Sequence, residues 1–392
     1  MTMRNWLLPE YIEDVLPAEA AQIERLRGIL LGIFRVHGYE LVVPPMLEYV
    51  DSLLTGTGHD LDLRTFKLVD QLSGRMMGIR ADITPQVARV DSHLLNRECV
   101  TRLCYCGSVL HTRPRGLDST REPIQIGAEI YGHPGIESDL EIQRLLSDSL
   151  AACGMERARL DIGHVGIFRS ICAHGNVAPE LESELQEALG AKDHARIEIL
   201  AGELGRQTRE ALLQLPLLYG NAALIDAARR ILPPYPDLLS ALSDLERLAN
   251  DNRFDVSIDL ADLRGYHYHS GVVFSVYAGG DKHPPEIVNS PLSKNVLVLG
   301  GRYDEVGKAF GRARPATGFS LDLRDLARMV PVELGSGAIV APFGNEESLE
   351  AEVARLRRSG EVVIQALPGV KDGSECEREL MWLDGRWAIR KL

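Results

Sequence analysis

Four short segments place polar side chains where a packed core would want none. The first is Arg80-Ala81-Asp82-Ile83-Thr84-Pro85. An acid and a hydroxyl two residues apart at a strand's end can face one ligand together, and an ionised Asp82 would accept hydrogen bonds from an ammonium or imidazolium group. Asp82 or Thr84 is also well placed to cap the helix that follows. The second segment runs from Ile124 to Tyr131. A period of two puts Gln125, Gly127, Glu129 and Tyr131 on one strand face and Ile124, Ile126, Ala128 and Ile130 on the other. Such a strand has a core below it and either a polar pocket or solvent above. The third runs from Asp262 to Gly271 and carries Arg264, Tyr266, His267, Tyr268 and His269. In a regular strand Arg264, Tyr266 and Tyr268 would share a face, and Arg264 could pair bidentately with a carboxylate. Two histidines without a third nearby ligand make a poor metal site. The fourth is Gly300-Gly301-Arg302-Tyr303-Asp304, whose glycines permit close backbone approach. There Arg302 and Asp304 could simply pair with each other.

The elements that would carry these segments follow from periodicity. Ala18 to Val36 reads as an amphipathic helix, with Ile23, Leu26, Ile29, Leu30 and Ile33 at three- and four-residue steps. A strand at Tyr39 to Val43 is ended by Pro44. Phe66 to Asp70 and Arg75 to Arg80 form a hairpin around Leu72-Ser73-Gly74. Thr84 to Leu95 reads as helix. Val100 to Leu110 and Ile124 to Tyr131 read as strands around a polar loop, Thr112 to Glu122. Ser138 to Ala152 reads as helix with Ser138 at its N-cap. Strand signals then vanish, which predicts a helical insertion over about residues 176–250. Strands return at Phe254–Leu260, Val272–Tyr277 and Val296–Leu299, and Leu321 to Met329 reads as helix. The tail offers a strand near Ala338, a helix over Ser348–Arg358 and a strand over Val362–Ala366. The Gly335-Ser336-Gly337 stretch reads as a plain turn. Hairpins with helices around them predict an α+β fold on an antiparallel sheet. The expected division is one large domain over residues 1–330 and a short α/β unit over 331–392.

Bulk properties narrow the function. The chain has 392 residues, 45% of them hydrophobic, a net charge of −13 and a pI near 5.4. That is ample for a large core, and it lacks the basic footprint of a protein gripping nucleic acid through phosphates. The six cysteines show no disulfide framework. Cys99, Cys104, Cys106 and His111 lie close together without zinc-site spacing, and Cys104 and Cys106 share a strand face as small core residues would. No phosphate-binding glycine loop of the P-loop or dinucleotide kind is present. No apolar run is long enough to span a bilayer, and the N-terminal stretch lacks a cleavable signal pattern, so a cytoplasmic location is expected.

Taken in order, the four segments resemble the catalytic domain of the class II histidyl-tRNA synthetases. The first helix with the run Gly38 to Glu48 looks like that class's first motif, which builds its dimer interface. Arg80 to Pro85 looks like the histidine-binding Arg-Pro-Glu-Gly-Thr stretch, with Asp82 in place of Glu. Gln125 and Glu129 match residues that hold the substrate's amino and imidazole groups. Arg264 to His269 looks like Arg-Gly-Leu-Asp-Tyr-Tyr, and Gly300 to Asp304 matches the second histidine motif, with Tyr303 its pocket tyrosine. The likeness covers about residues 10–330 apart from the insertion.

The departures from that pattern are selective. The synthetase arginine that holds the α-phosphate of ATP falls on His111, and the one that holds the γ-phosphate falls on Asp325. Arg324, one step away, would point elsewhere. Asp322 stands where a glycine gives the adenine room. Each charged hydrogen bond is worth roughly 1.5–3 kcal/mol, so losing two weakens nucleotide binding by about a hundred- to ten-thousand-fold. Only about 60 residues follow Met329, too few for the synthetases' anticodon-binding domain. Amino-acid contacts are kept and nucleotide and tRNA contacts are lost.

On this pattern the chain is identified as a member of the ATP phosphoribosyltransferase regulatory subunit family. Membership implies a non-catalytic chain that partners a short-form catalytic subunit and mediates feedback inhibition of histidine biosynthesis by histidine. It implies self-association through the first motif, no cofactor, no metal and no tRNA. The implied histidine site is Asp82, Thr84, Gln125 and Glu129 for the polar groups, Tyr268 and Tyr303 around the imidazole, Arg264 for the carboxylate, and His269 beside them. The alternatives are an active histidine–tRNA ligase or another ATP-dependent synthetase-like enzyme, both needing substitutes for the lost arginines, and a scaffold with a vacant pocket.

Overall fold

The computed structural model describes residues 7–56, 59–114, 116, 119–155, 157–278, 296–331, 337–369 and 376–392. Helix α1 (Pro17–Val36) opens on a proline, whose missing N–H is harmless in a first turn. It buries the stripe Ile23, Leu26, Leu30 and Phe34. Strand β1 (Glu40–Leu41) is shorter than its sequence suggests, because Pro44 and Pro45 lie just beyond it. Next come β2 (Leu47–Tyr49), α2 (Val50–Leu53) and α3 (His59–Arg64). The expected hairpin is β3 (Phe66–Val69) with β4 (Met76–Ile79), and β2 joins it as a three-stranded sheet. The helix expected from Thr84 is α4 (Thr84–Arg89), continued by a π-helix over Val90–Leu95.

Strands β5 (Thr101–Ser108) and β6 (Ile124–Tyr131) form an antiparallel pair. Helix α5 (Ile136–Ala152) starts two residues earlier than expected, with Gly135 at its N-cap. Ser138 instead sits in the first turn and donates from Oγ to the Gly135 carbonyl at 2.8 Å. Strand β7 (Ala158–His164) and helix α6 (Val165–His174) were not expected. Arg159 and Asp161 disguise the strand, and they pair with each other at 2.8 Å. The insertion supplies α7 (Pro179–Gly190), α8 (His194–Leu200), α9 (Arg206–Gln214), α10 (Leu224–Ile231) and α11 (Pro236–Asn250). It also holds a two-residue strand, β8 (Tyr219–Gly220), that pattern reading missed. The sheet is completed by β9 (Asp255–Asp259), β10 (Val272–Ala278), β11 (Val296–Arg302) and β12 (Ala316–Asp322), and α12 (Leu323–Met329) follows. Gly318, Thr317 and Ser320 hid β12, since such residues signal turns as readily as strands.

The nine strands lie in the order β1-β5-β6-β12-β11-β10-β7-β9-β8. All neighbours are antiparallel except β1 with β5 and β7 with β9. One face of the sheet joins the main core. There Ile126, Ala128 and Ile130 of β6 meet buried side chains of α1 and α5, and Phe34 sets its ring edge-on to Phe319 at 5.9 Å. The opposite face carries a smaller cluster that includes Ile83, Val87, Leu103, Tyr105, Tyr131 and Tyr303. That second face is the one on which Gln125 and Glu129 stand.

Residues Val332–Leu392 form a separate compact unit. Strand β13 (Ala338–Ala341) pairs in parallel with β14 (Val363–Gln365) and β15 (Cys376–Leu383), and β16 (Arg386–Lys391) closes a hairpin with β15. Helix α13 (Glu347–Arg358) packs Leu349, Val353 and Leu356 on this sheet. The hairpin, which the sequence reading did not include, turns at Asp384-Gly385, where both φ are positive, at 49° and 78°. Gly335 and Ser336 of the expected turn lie outside the described residues.

Candidate functional site

Glu129 is the centre of the second face. It is 1% exposed, and its partners are hydroxyls. Tyr105 donates to Oε1 at 3.0 Å and Tyr303 donates to Oε2 at 2.6 Å. Each tyrosine is backed by a second hydroxyl. Thr84 Oγ1 lies 2.9 Å from the Tyr105 hydroxyl, and the Tyr131 hydroxyl lies 3.2 Å from that of Tyr303. Burial pushes the Glu129 carboxyl up to about 8, against the pull of the Tyr303 and Tyr105 hydrogen bonds. The same burial holds all four of Tyr105, Tyr131, Tyr268 and Tyr303 well above the usual tyrosine range.

Two glycines make this packing feasible. A Cβ on Gly127 would lie 2.5 Å from the Tyr105 hydroxyl, and a Cβ on Gly318 would lie 1.5 Å from Glu129 Oε2. Gly318 stands directly across from Glu129 in the β6–β12 pairing.

A second polar knot lies beside the first. Asp82 Oδ1 accepts from the Thr84 N–H at 2.9 Å and from Gln125 Nε2 at 2.8 Å. Gln125 Oε1 in turn accepts from the Ile83 N–H at 2.9 Å. Ile83, not Asp82 or Thr84, is the N-cap of α4; Asp82, one residue earlier, takes the N–H of the helix's first residue, and the same carboxylate meets Gln125 from β6.

The segment Asp262 to Gly271 is a series of turns and not the strand that alternation suggested. Gly265 has φ +62°, and a Cβ there would lie 2.8 Å from the His269 ring, so only glycine closes the turn without strain. The turn separates the side chains expected to share a face. Tyr268 stacks on Tyr303, with ring centroids 5.1 Å apart, and its buried hydroxyl has no hydrogen-bond partner among the described residues. His269 lies behind Tyr268, edge-on at 5.3 Å, with Nδ1 3.2 Å from the Arg302 carbonyl. Burial pushes the His269 imidazole down to about 4. Arg264 is held by Asp262 (Nε to Oδ1, 2.8 Å), Ser275 (2.8 Å) and Tyr277 (3.3 Å). His267 is exposed.

At the positions where the resemblance expects the nucleotide arginines, the side chains are engaged within the fold. His111 is fully buried, with Nε2 2.9 Å from Arg64 Nη2 and 3.0 Å from the Ala81 carbonyl. Asp325 sits in the first turn of α12, 3.8 Å from Arg328. Arg324 reaches Glu13, 2.8 Å distant. Asp322 caps α12 through the Arg324 N–H and also accepts from the Ile124 N–H, both at 3.0 Å. Among the described residues no group of His, Cys, Asp and Glu is arranged to hold a metal ion.

Sequence reasoning missed Tyr105. Its only signal was its place in phase with Leu103 and Gly107 on β5, directly opposite Gly127.

A family model described as histidyl-tRNA synthetase matches residues 11–326, and one described as the ATP phosphoribosyltransferase subunit HisZ C-terminal domain matches residues 336–390. The chain is 56% identical over 391 residues to an ATP phosphoribosyltransferase regulatory subunit of Burkholderia cenocepacia, with 99% of each chain covered. It is 55% identical over 394 residues to that of Janthinobacterium sp., with 100% of each covered. The chain belongs to the ATP phosphoribosyltransferase regulatory subunit family. It is thus a non-catalytic regulatory subunit of histidine biosynthesis that works with a catalytic subunit, and the reading as an active histidine–tRNA ligase is set aside. Among solved structures it is similar to an ATP phosphoribosyltransferase regulatory subunit/histidyl-tRNA synthetase from Bacillus halodurans. The TM-score is 0.80 at 26% identity, covering 94% and 95% of the two chains. A histidyl-tRNA synthetase from Nostoc sp. PCC 7120 shares the fold with a TM-score of 0.76 at 16% identity, covering 96% and 91%. The class II synthetase-like α+β fold of the regulatory subunit follows from both. No helix among the described residues is long and apolar enough to cross a membrane.

Proposed function

We propose that this regulatory subunit senses histidine in the Glu129 pocket and conveys its presence to a short-form catalytic subunit. The observation that carries the reading is the pocket's chemistry. A buried carboxyl set among tyrosine hydroxyls, beside the Asp82–Gln125 knot, suits an ammonium and an imidazole, and the Tyr268 hydroxyl has no partner among the described residues. In this reading Glu129, Gln125, Asp82 and Thr84 hold the ligand's polar groups. Tyr268 and Tyr303 wall the ring, with His269 bracing Tyr268 from behind. Arg264 meets the ligand carboxylate while shared with Asp262. Neither His111 nor Asp325 offers a guanidinium to a triphosphate, so the site takes the amino acid without the nucleotide.

The subunit is proposed to pair with a second copy through the α1–β1–β2 region. Leu41, Val43, Met46, Leu47 and Leu94 are exposed there, around an open groove of about 590 Å³. Apolar surface of this kind marks interaction sites more often than bare solvent contact. The C-terminal unit is proposed to stand in place of an anticodon-binding domain, and the protein to act in the cytoplasm.

Calorimetric titration of the purified chain with histidine, and separately with Mg-ATP, tests the core of the reading. Histidine is expected to bind and Mg-ATP to give no heat. Tight Mg-ATP binding would overturn the argument from the lost arginines. Absence of histidine binding, alone and with the catalytic subunit present, would leave the pocket vacant and the chain a scaffold.

A further inference from the structure

The loop that walls the pocket also grips the helical insertion, and it does so with a residue two positions from the pocket wall. Tyr268 faces Tyr303, whereas Tyr266 faces the opposite way and is 4% exposed. The Tyr266 ring packs edge-on against Phe168 of α6 at 5.3 Å, and Arg169 of α6 lies over it at 4.7 Å. Arg169 also donates to the Tyr266 carbonyl at 2.7 Å. The Tyr266 hydroxyl donates to Glu182 of α7, in the insertion.

The loop between these contacts is stiff. Tyr266 N–H bonds to the Leu263 carbonyl at 3.1 Å, and the Tyr268 and His269 N–H groups both bond to the Gly265 carbonyl at 2.8 Å. The loop's far end is tied to α6 by the Val165 N–H on the Gly271 carbonyl at 3.0 Å. Tyr266 and Tyr268 thus belong to one hydrogen-bonded series of turns, through which a displacement of Tyr268 bears on Tyr266. Room to move exists on the far side. Arg169 and Glu182, the two polar partners of Tyr266, line an open groove of about 550 Å³ between α6 and α7. One half of this coupling element faces the pocket and the other half faces the insertion.

We infer that Tyr266 transmits occupancy of the Glu129 pocket to the helical insertion, so that the insertion is the part of the chain through which the effector acts on the catalytic partner. This rests on the reading of the pocket as a histidine sensor. Two arrangements of the loop that differ in ligand affinity are required, since a ligand shifts only an equilibrium in which it prefers one state.

The test uses the complex of this chain with its short-form catalytic subunit and two variants, Tyr266→Phe and Glu182→Gln. The phenylalanine keeps the ring contacts with Phe168 and Arg169 and removes only the hydroxyl. Histidine affinity of each isolated chain is measured by calorimetry, and inhibition of the complex by histidine is measured in parallel. Expected are isolated-chain affinities within about threefold of the parent and a rise of about tenfold or more in the half-inhibiting concentration, a typical coupling free energy. Hydrogen exchange of α7 amides on histidine addition should change in the parent chain and not in Tyr266→Phe. Unchanged inhibition in both variants would overturn the inference. A parallel loss of affinity and inhibition would do the same, by making Tyr266 a support of the pocket and not a transmitter. If the parent chain itself binds no histidine, the pocket reading fails first, and that outcome is distinct because it appears before any substitution.

Discussion

At the scale of single residues, Glu129 sets the pH behaviour. Its carboxyl is raised to about 8 in the fold from an ordinary value near 4.5, chiefly by burial. The folded chain therefore holds that proton more tightly than the unfolded chain does. The resulting stability is fully present below pH 4.5 and is lost as pH rises through 8. Glu129→Gln removes the titration. Its stability advantage over the parent should widen between pH 5 and 8 by at most about 1.4 kcal/mol per pH unit, read from melting temperatures. The same substitution should weaken inhibition by histidine while the complex with the catalytic subunit stays assembled. A cationic ligand must also displace the proton, so histidine binding near pH 7 should release protons. Calorimetry in buffers of different ionisation enthalpy measures that release. Unaltered histidine inhibition of Glu129→Gln would remove the effector from this pocket.

At the scale of elements, the pocket depends on a buried ion pair outside it. Arg302 ends β11 next to Tyr303 and is 7% exposed; Asp139 in the first turn of α5 is fully buried. Arg302 Nε lies 3.1 Å from Asp139 Oδ2, and Nη2 reaches Ser138 at 2.8 Å and the Gly135 carbonyl at 3.0 Å. The expected Arg302–Asp304 contact exists but is looser, at 3.4 Å. This knot fixes where β11 ends and so where Tyr303 meets Glu129. Asp139→Ala strands a buried guanidinium and should cost about 3–5 kcal/mol in urea denaturation. A loss below about 1 kcal/mol, the range of an exposed pair, would mean that solvent reaches the site.

At the scale of the whole molecule, two properties separate this chain from an active ligase. His111 and Asp325 stand where the synthetase resemblance expects the nucleotide arginines, and the unit after Pro331 is a small four-stranded sheet with one helix. Restoring arginine at both His111 and Asp325 should therefore not restore tRNA charging. His111 is buried against Ala81 and Arg64, so an arginine there must first displace that packing. Measurable charging by the double variant would show that the tail matters less than argued. The proposed self-association belongs to the same scale. Leu47→Glu puts a charge in the exposed apolar region near β2 and should convert dimers to monomers in sedimentation experiments. An unchanged sedimentation coefficient would place the self-contact elsewhere.

Where one periodicity dominated, the sequence sufficed. The 3.6-residue stripe of α1, the alternation of β6 and the β3–β4 hairpin are local patterns, and neighbours in the chain create them. The regulatory-subunit family was also legible, because it depends on residue type at motif positions. Tertiary structure alone decided what those patterns meet. Strand β7 and strand β12 are held by their sheet neighbours, not by alternation, and the turn at Gly265 separated Tyr266 from Tyr268, which were expected to share a face. Tyr105 reached Glu129 only when β5 paired with β6 and set it across from Gly127. A contact between residues far apart in sequence depends on register and on which face is buried, and neither is written in the residues that make it.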